Sequence, residues 1–214
     1  MSEPLLLDNY LPTWDHEISI SQLFRAPPDE VFDAITNLDL FRLPVARVLL
    51  EARGLPSRLA DAAARRHGET VAPEPPTFRV RDLPARGWIP LGERPGTELV
   101  YGAVGQPWKG TGGQAPEPPV TAETFAAFAE PGFAKLAEST VVIPYGMGGC
   151  VLTLESRVVM TDDHSRRRFR RYWQAAGPFI RLMRPTAMRA LERQLRRAAY
   201  WHGVADADQR AFRT

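Results

Sequence analysis

The stretch GCVLTLESRVVMT, Gly149 to Thr161, runs almost directly into SRRRFRRYWQAAGPFIRLMRPTAMRALERQLRRAAYW, Ser165 to Trp201. The first segment reads as a strand: aliphatic and β-branched residues dominate it, with Leu152, Leu154, Val158 and Met160 recurring on one side. The second reads as an amphipathic helix, because Phe169, Trp173, Ala176, Ile180, Met183, Ala187, Leu191, Leu195 and Ala198 fall at steps of three or four. Pro178 and Pro185 interrupt that helix. Each lacks the N–H of an intrahelical bond, a loss of about 3 kcal/mol unless packing compensates, so a bent helix is expected. Neither element can bury its apolar side alone, and the two must cover each other.

Working outward, Trp14 to Arg25 alternates with period two: Ile18, Ile20 and Phe24 on one side, Glu17, Ser19, Ser21 and Arg25 on the other. Pro28, Asp29 and Glu30 open a helix whose buried stripe is Val31, Ile35 and Leu38, with Phe32 beside it. Further helices are expected over Asp39 to Arg53 and Arg58 to His67, and 54–76 reads as an inserted surface segment. From Thr77 on, strand signals recur between Pro/Gly turns: Thr77–Val80, Gly87–Glu93, Thr97–Gln106, Thr121–Ala127 and Phe133–Pro144. Short connections of this kind favour an antiparallel meander. The expected organisation is an irregular arm over 1–13, a single domain over 14–201 and a tail over 202–214.

Bulk properties exclude several classes. The formal charge of +2 gives no reason to expect a nucleic-acid partner. One cysteine, Cys150, allows no internal disulfide, and the four histidines lack zinc-ligand spacing, so no metal or cofactor is expected. No apolar run approaches the roughly 18 residues of a membrane helix. The opening MSEPLLLDNYLPTWDHE lacks the basic and apolar regions of a signal peptide, and a cytoplasmic location is expected. Arg166, Arg167, Arg168, Arg170 and Arg171 read as a solvated face; cations at a helix N-terminus oppose its dipole, so acidic partners within the fold are expected. Gly102 to Gly113 is glycine-rich but lacks phosphate-loop spacing, and reads as a hairpin loop with Trp108 packed over it. His16 and His164 lie near strand ends and are expected to be solvated.

The element order, with the segments FRAPPDEVFDAI (Phe24 to Ile35), LESRV (Leu154 to Val158), Thr161-Asp162 and RFRRYW (Arg168 to Trp173), resembles the START/Bet v 1-like superfamily (SRPBCC, polyketide cyclase-like), in a bacterial branch mostly of unassigned function. The resemblance spans roughly residues 14–200. It implies an α+β helix-grip fold: a curved antiparallel sheet of about seven strands around the long C-terminal helix, two or three small helices after the first strand, and an apolar cavity between. Members of the superfamily bind lipids, polyketides and hormones, and some are cyclases or dehydratases.

In such a cavity the expected ligand-binding residues are Leu99, Tyr101, Trp108, Leu152, Leu154, Met160, Tyr172, Trp173, Ile180 and Met183, each of which equally suits a packed core. Glu98, Glu155 and Arg157 are candidate polar anchors. Glu155 and Arg157 share a sheet face, opposite Leu152 and Leu154, which favours a surface ion pair worth only ~0–1 kcal/mol. The leading expectation is binding of a hydrophobic or amphipathic small molecule. The alternatives are a cyclase or dehydratase acting on such a molecule, and an interaction module with a closed core, which would show a large exposed apolar patch or a homodimer contact around 40–67.

Overall fold

The structure is a computed structural model that describes residues 4–39 and 77–211. Tyr145-Gly-Met-Gly-Gly149 folds back on itself through Gly146 and Gly148, at φ of 63° and 80°, a left-handed conformation that favours glycine. The two longest strands, β4 (Ala134–Tyr145) and β5 (Gly149–Met160), are thereby paired along their full length. β5 pairs on its other side with β1 (His16–Phe24). β4 pairs with β3 (Glu98–Gly105), and β3 with β2 (Ile89–Arg94). The sheet order is β1-β5-β4-β3-β2, with every pairing antiparallel.

Among the described residues four α-helices accompany the sheet: α1 (Leu6–Tyr10), α2 (Pro28–Thr36), α3 (Ala122–Phe125) and α4 (Asp163–Ala211). Alternation along the strands separates two faces. One carries Phe24, Leu99, Tyr101, Val142 and Leu152, which pack with Val31, Phe32 and Ile35 of α2 and Met188 and Leu191 of α4. The other carries Leu91, Val100 and Ala137, covered by Leu7 and Leu11 of the arm and Phe125 of α3. An α+β architecture with a long C-terminal helix against an antiparallel sheet is therefore present. No helix among the described residues is long and apolar enough to cross a membrane.

The described residues contain five strands rather than seven. Residues 77–80 do not pair. The Phe78 N–H donates to the Asp39 carboxylate at 3.1 Å, and Pro84 helps turn the chain into two short 3-10 turns, Val80–Asp82 and Pro84–Arg86. Residues 121–127 form α3 instead, because Thr121 and Thr124 make a reciprocal capping box. The arm is not wholly irregular, since it contains α1. The helices expected over 39–53 and 58–67, the inserted segment 54–76 and the contact surface at 40–67 lie, apart from Asp39, outside the described residues.

Helix α4 is continuous through Pro178 and Pro185 and extends past Trp201 to Ala211. Its start is fixed by Asp162, whose carboxylate accepts the Ser165 N–H at 2.9 Å, the Ser165 hydroxyl at 2.7 Å and the Gly132 N–H. Burial alone would raise the Asp162 pKa, but these bonds and one from the His164 N–H outweigh it and hold the carboxyl well below the usual carboxylate range. Because the folded value is depressed, the stabilisation is present above the unfolded value of 3.8 and lost as pH falls through the folded one. Asp162→Ala should therefore cost about 1 kcal/mol at neutral pH in urea unfolding. It should also flatten the fall in stability between about pH 5 and pH 1.

Candidate functional site

Between sheet and α4 the apolar packing is not continuous. The cluster around Leu99, Tyr101 and Leu152 lies towards one end, with Leu154 and Met183 packed against it. A second cluster lies towards the other: Ala134, Val158, Met160 and Phe169, with Trp108, Tyr172 and Trp173 against it. Separating them is a polar layer in register. Ser156, between Leu154 and Val158 on β5, stands opposite Glu138 on β4, which stands opposite Tyr101 on β3. Helix α4 contributes Arg184 at this level. Its Nη2 donates to Glu138 Oε2 at 3.0 Å and to Ser156 Oγ, and the Ser156 hydroxyl donates to Glu138 Oε1. Burial, and then the Glu93 carboxylate, push the Tyr101 phenol above its ordinary value, so it stays neutral.

Arg184 is only 6% exposed, yet its Nη1 is buried without a hydrogen-bond acceptor among the described residues. A buried donor left unmet costs about 1–3 kcal/mol. The same side chain helps line a cleft of ≈ 330 Å³ where α4 passes edge strand β1, together with Glu17, Ile18, Ser19, Ile20, Arg181 and Pro185. At Pro185 the helix has no N–H to offer the Arg181 carbonyl, so the cleft borders a gap in the helical bonding pattern.

None of the ten expected ligand-binding residues lines this cleft. Leu99, Tyr101, Leu152, Leu154 and Met183 belong to the first cluster and Trp108, Met160, Tyr172 and Trp173 to the second. Ile180 is half-buried one turn before Arg184. Trp108 is packed against the second cluster, and its Nε1 is buried without an acceptor among the described residues. His16 is only partly exposed: its ring lies 5.0 Å from Phe169 and 5.5 Å from Trp173, and burial lowers its pKa against the opposing pull of Asp15.

The residues missed are Arg184, Glu138, Ser156 and Arg181. Their positions carried a signal. Arg184 falls on the inward stripe between Ile180 and Ala187, and Glu138 shares its strand face with Ala134, Leu136 and Val142. A charged residue at an apolar position of each of two facing elements predicts a buried pair.

The candidate polar anchors lie on the opposite face and hold the N-terminal arm. Glu98, fully buried, accepts the Leu6 N–H at 2.8 Å and Arg94 Nη1 at 2.8 Å, while Arg94 Nη2 donates to the Pro4 carbonyl. Arg157 donates through Nε to Glu155 at 2.6 Å, and through Nη1 to Asp8 at 2.6 Å and the Leu11 carbonyl at 2.9 Å. Its guanidinium carbon lies 4.0 Å from the Trp14 ring centroid. Burial alone would lower the Arg157 pKa; the Asp8 and Glu155 carboxylates outweigh it and raise the value. The pair is therefore neither a cavity anchor nor an open surface bridge.

Nearby, Lys135 Nζ donates to the Ala126 carbonyl at 2.8 Å, stabilising the end of α3. At the start of α4, Arg166 finds the expected acidic partners in Asp15 at 3.0 Å and Asp163 at 2.6 Å, whereas Arg167, Arg168, Arg170 and Arg171 are exposed.

No model of a known protein family matches the chain, and neither does any curated protein. Geometry is thus the basis for function.

Removing the arm clamp gives a test of that assignment. Arg157→Met should destabilise the protein by about 2–3 kcal/mol in urea unfolding, below the 3–5 of a fully buried pair because Asp8 stays half-exposed. Limited proteolysis of the native variant should cut first within residues 1–14.

Proposed function

We propose that the protein binds a small amphipathic molecule between the sheet and the C-terminal helix, in a helix-grip arrangement. The observation that carries this reading is the cleft beside β1, apolar at Ile18, Ile20 and Pro185 and polar at Glu17, Ser19, Arg181 and the buried Arg184. Functional pockets run from roughly 300 to 1,000 Å³, and ≈ 330 Å³ lies at the small end. A single chain or ring fits that volume better than a two-chain lipid. Binding energy would come mainly from apolar burial, roughly 25 cal/mol per Å², less the cost of ordering the ligand.

The resemblance to START/Bet v 1-like proteins points the same way, since that superfamily places its ligands between sheet and terminal helix. The cyclase or dehydratase alternative drew on Glu98, Glu155, Arg157 or a tyrosine; the three charged residues bond the arm on the other face, and Tyr101 packs in the apolar cluster under the helix. No observation raises it above binding.

Native mass spectrometry of the full chain purified from its own host tests the proposal. The expected result is a protein peak carrying a small-molecule adduct that organic solvent releases. Ile20→Trp, which fills the cleft with a ring, should remove the adduct while leaving the far-ultraviolet circular dichroism unchanged. An adduct that persists in Ile20→Trp, or wild-type protein that is always bare, would overturn the proposal.

A further inference from the structure

We propose that the outer face of α4 docks on an anionic lipid surface.

The whole-chain charge of +2 conceals a segregation. Asp163 to Arg197 holds eleven arginines against two acids, a formal +9, so the remaining residues carry −7. Both acids are already taken, Asp163 by Arg166 at 2.6 Å and Glu192 by Arg196 at 2.7 Å, and Arg184 is buried against Glu138. The other eight arginines are all exposed and have no acidic partner among the described residues. Like charges three or four residues apart on a helix repel, and those in its first turns also oppose the dipole. An external layer of negative charge relieves both.

The cations are also arranged. Arg167, Arg171, Arg189 and Arg193 fall on the line opposite the buried stripe of Phe169, Ala187 and Leu191, with exposed Ala175, Pro178 and Leu182 between them. From Arg167 to Arg193 this row runs about 40 Å. Any polyanion meets the charge, but the middle of the row selects among them. Leu182, 52% exposed, gains burial at the boundary between headgroups and acyl chains, where arginines reach phosphate and carboxylate groups. Against a nucleic-acid backbone the same side chain faces phosphates and gains nothing. Nor does any exposed aromatic side chain stand among the described residues of α4 to stack on bases.

The test is co-sedimentation of the full chain with vesicles of phosphatidylcholine alone, or of phosphatidylcholine and phosphatidylserine mixed about seven to three. The mixed vesicles should bind at least about a hundredfold more tightly, and added salt should release the protein. Each arginine near such a surface tightens binding about fivefold, so Arg171→Gln/Arg189→Gln/Arg193→Gln should lose about a hundredfold. These three side chains are exposed, and the circular dichroism of the variant should match wild type. Leu182→Ser should weaken vesicle binding about fivefold and leave any binding to duplex DNA unchanged. Equal binding to both vesicles, binding to neither, or full binding by the triple variant would overturn the proposal. Duplex DNA bound more tightly than the mixed vesicles would overturn it in favour of a nucleic-acid face. Salt-reversible self-association in place of vesicle binding would overturn it in favour of a second copy.

Discussion

An antiparallel sheet with apolar residues on both faces must be covered twice, and the chain does both from its ends. Strand β5 is where this constraint concentrates. It is the second strand from the β1 edge, paired on both sides, and its alternate residues serve different layers: Leu152, Leu154 and Val158 face α4, while Glu155 and Arg157 face the arm. The N-terminal arm and the C-terminal helix are thus held by opposite faces of one strand.

Both layers contain buried charge, but they treat it differently. On the arm face the bonding is extensive: Glu98 and Arg157 each reach backbone groups of the arm as well as opposite charges. Such sites fix a segment in place, because a misplaced arm would leave charges buried without partners. On the helix face, Arg184 has a carboxylate and a hydroxyl on one nitrogen and no described acceptor on the other. The buried charges of the arm face are thus met more fully than those of the helix face, although the Ser139 hydroxyl on the arm face is also buried without a described partner.

The long-period patterns were the legible part of the sequence. Period two in Trp14 to Arg25 and Gly149 to Thr161, and the three-to-four spacing of the last helix, each correspond to an element of the structure. Short segments were not legible. Thr121 to Ala127 alternates well enough to pass for a strand, but two threonine hydroxyls three residues apart decide for a helical turn. Leu5, Leu6 and Leu7 gave too short a pattern to show that the arm would cover a sheet face. The cleft was hidden for a different reason. Its polar members come from β1 and α4, and only the packing of the helix across the edge strand brings Glu17 and Ser19 near Arg181 and Arg184. Apolar candidates were easy to name because core and cavity share the same residue types, and that shared chemistry is why all ten pointed away from the cleft.

The order of strands also bears on how the chain is made. β1 is synthesised early, yet its only described strand partner is β5, which emerges well over a hundred residues later. During translation β1 has no neighbour among the described strands, and the sheet they form cannot close over it until β5 is inserted beside it. Such distant pairing is slow in entropic terms and leaves apolar strand edges uncovered meanwhile. The nascent chain therefore depends on its surroundings for protection until β5 has emerged, and truncations before Gly149 are expected to yield no partial domain.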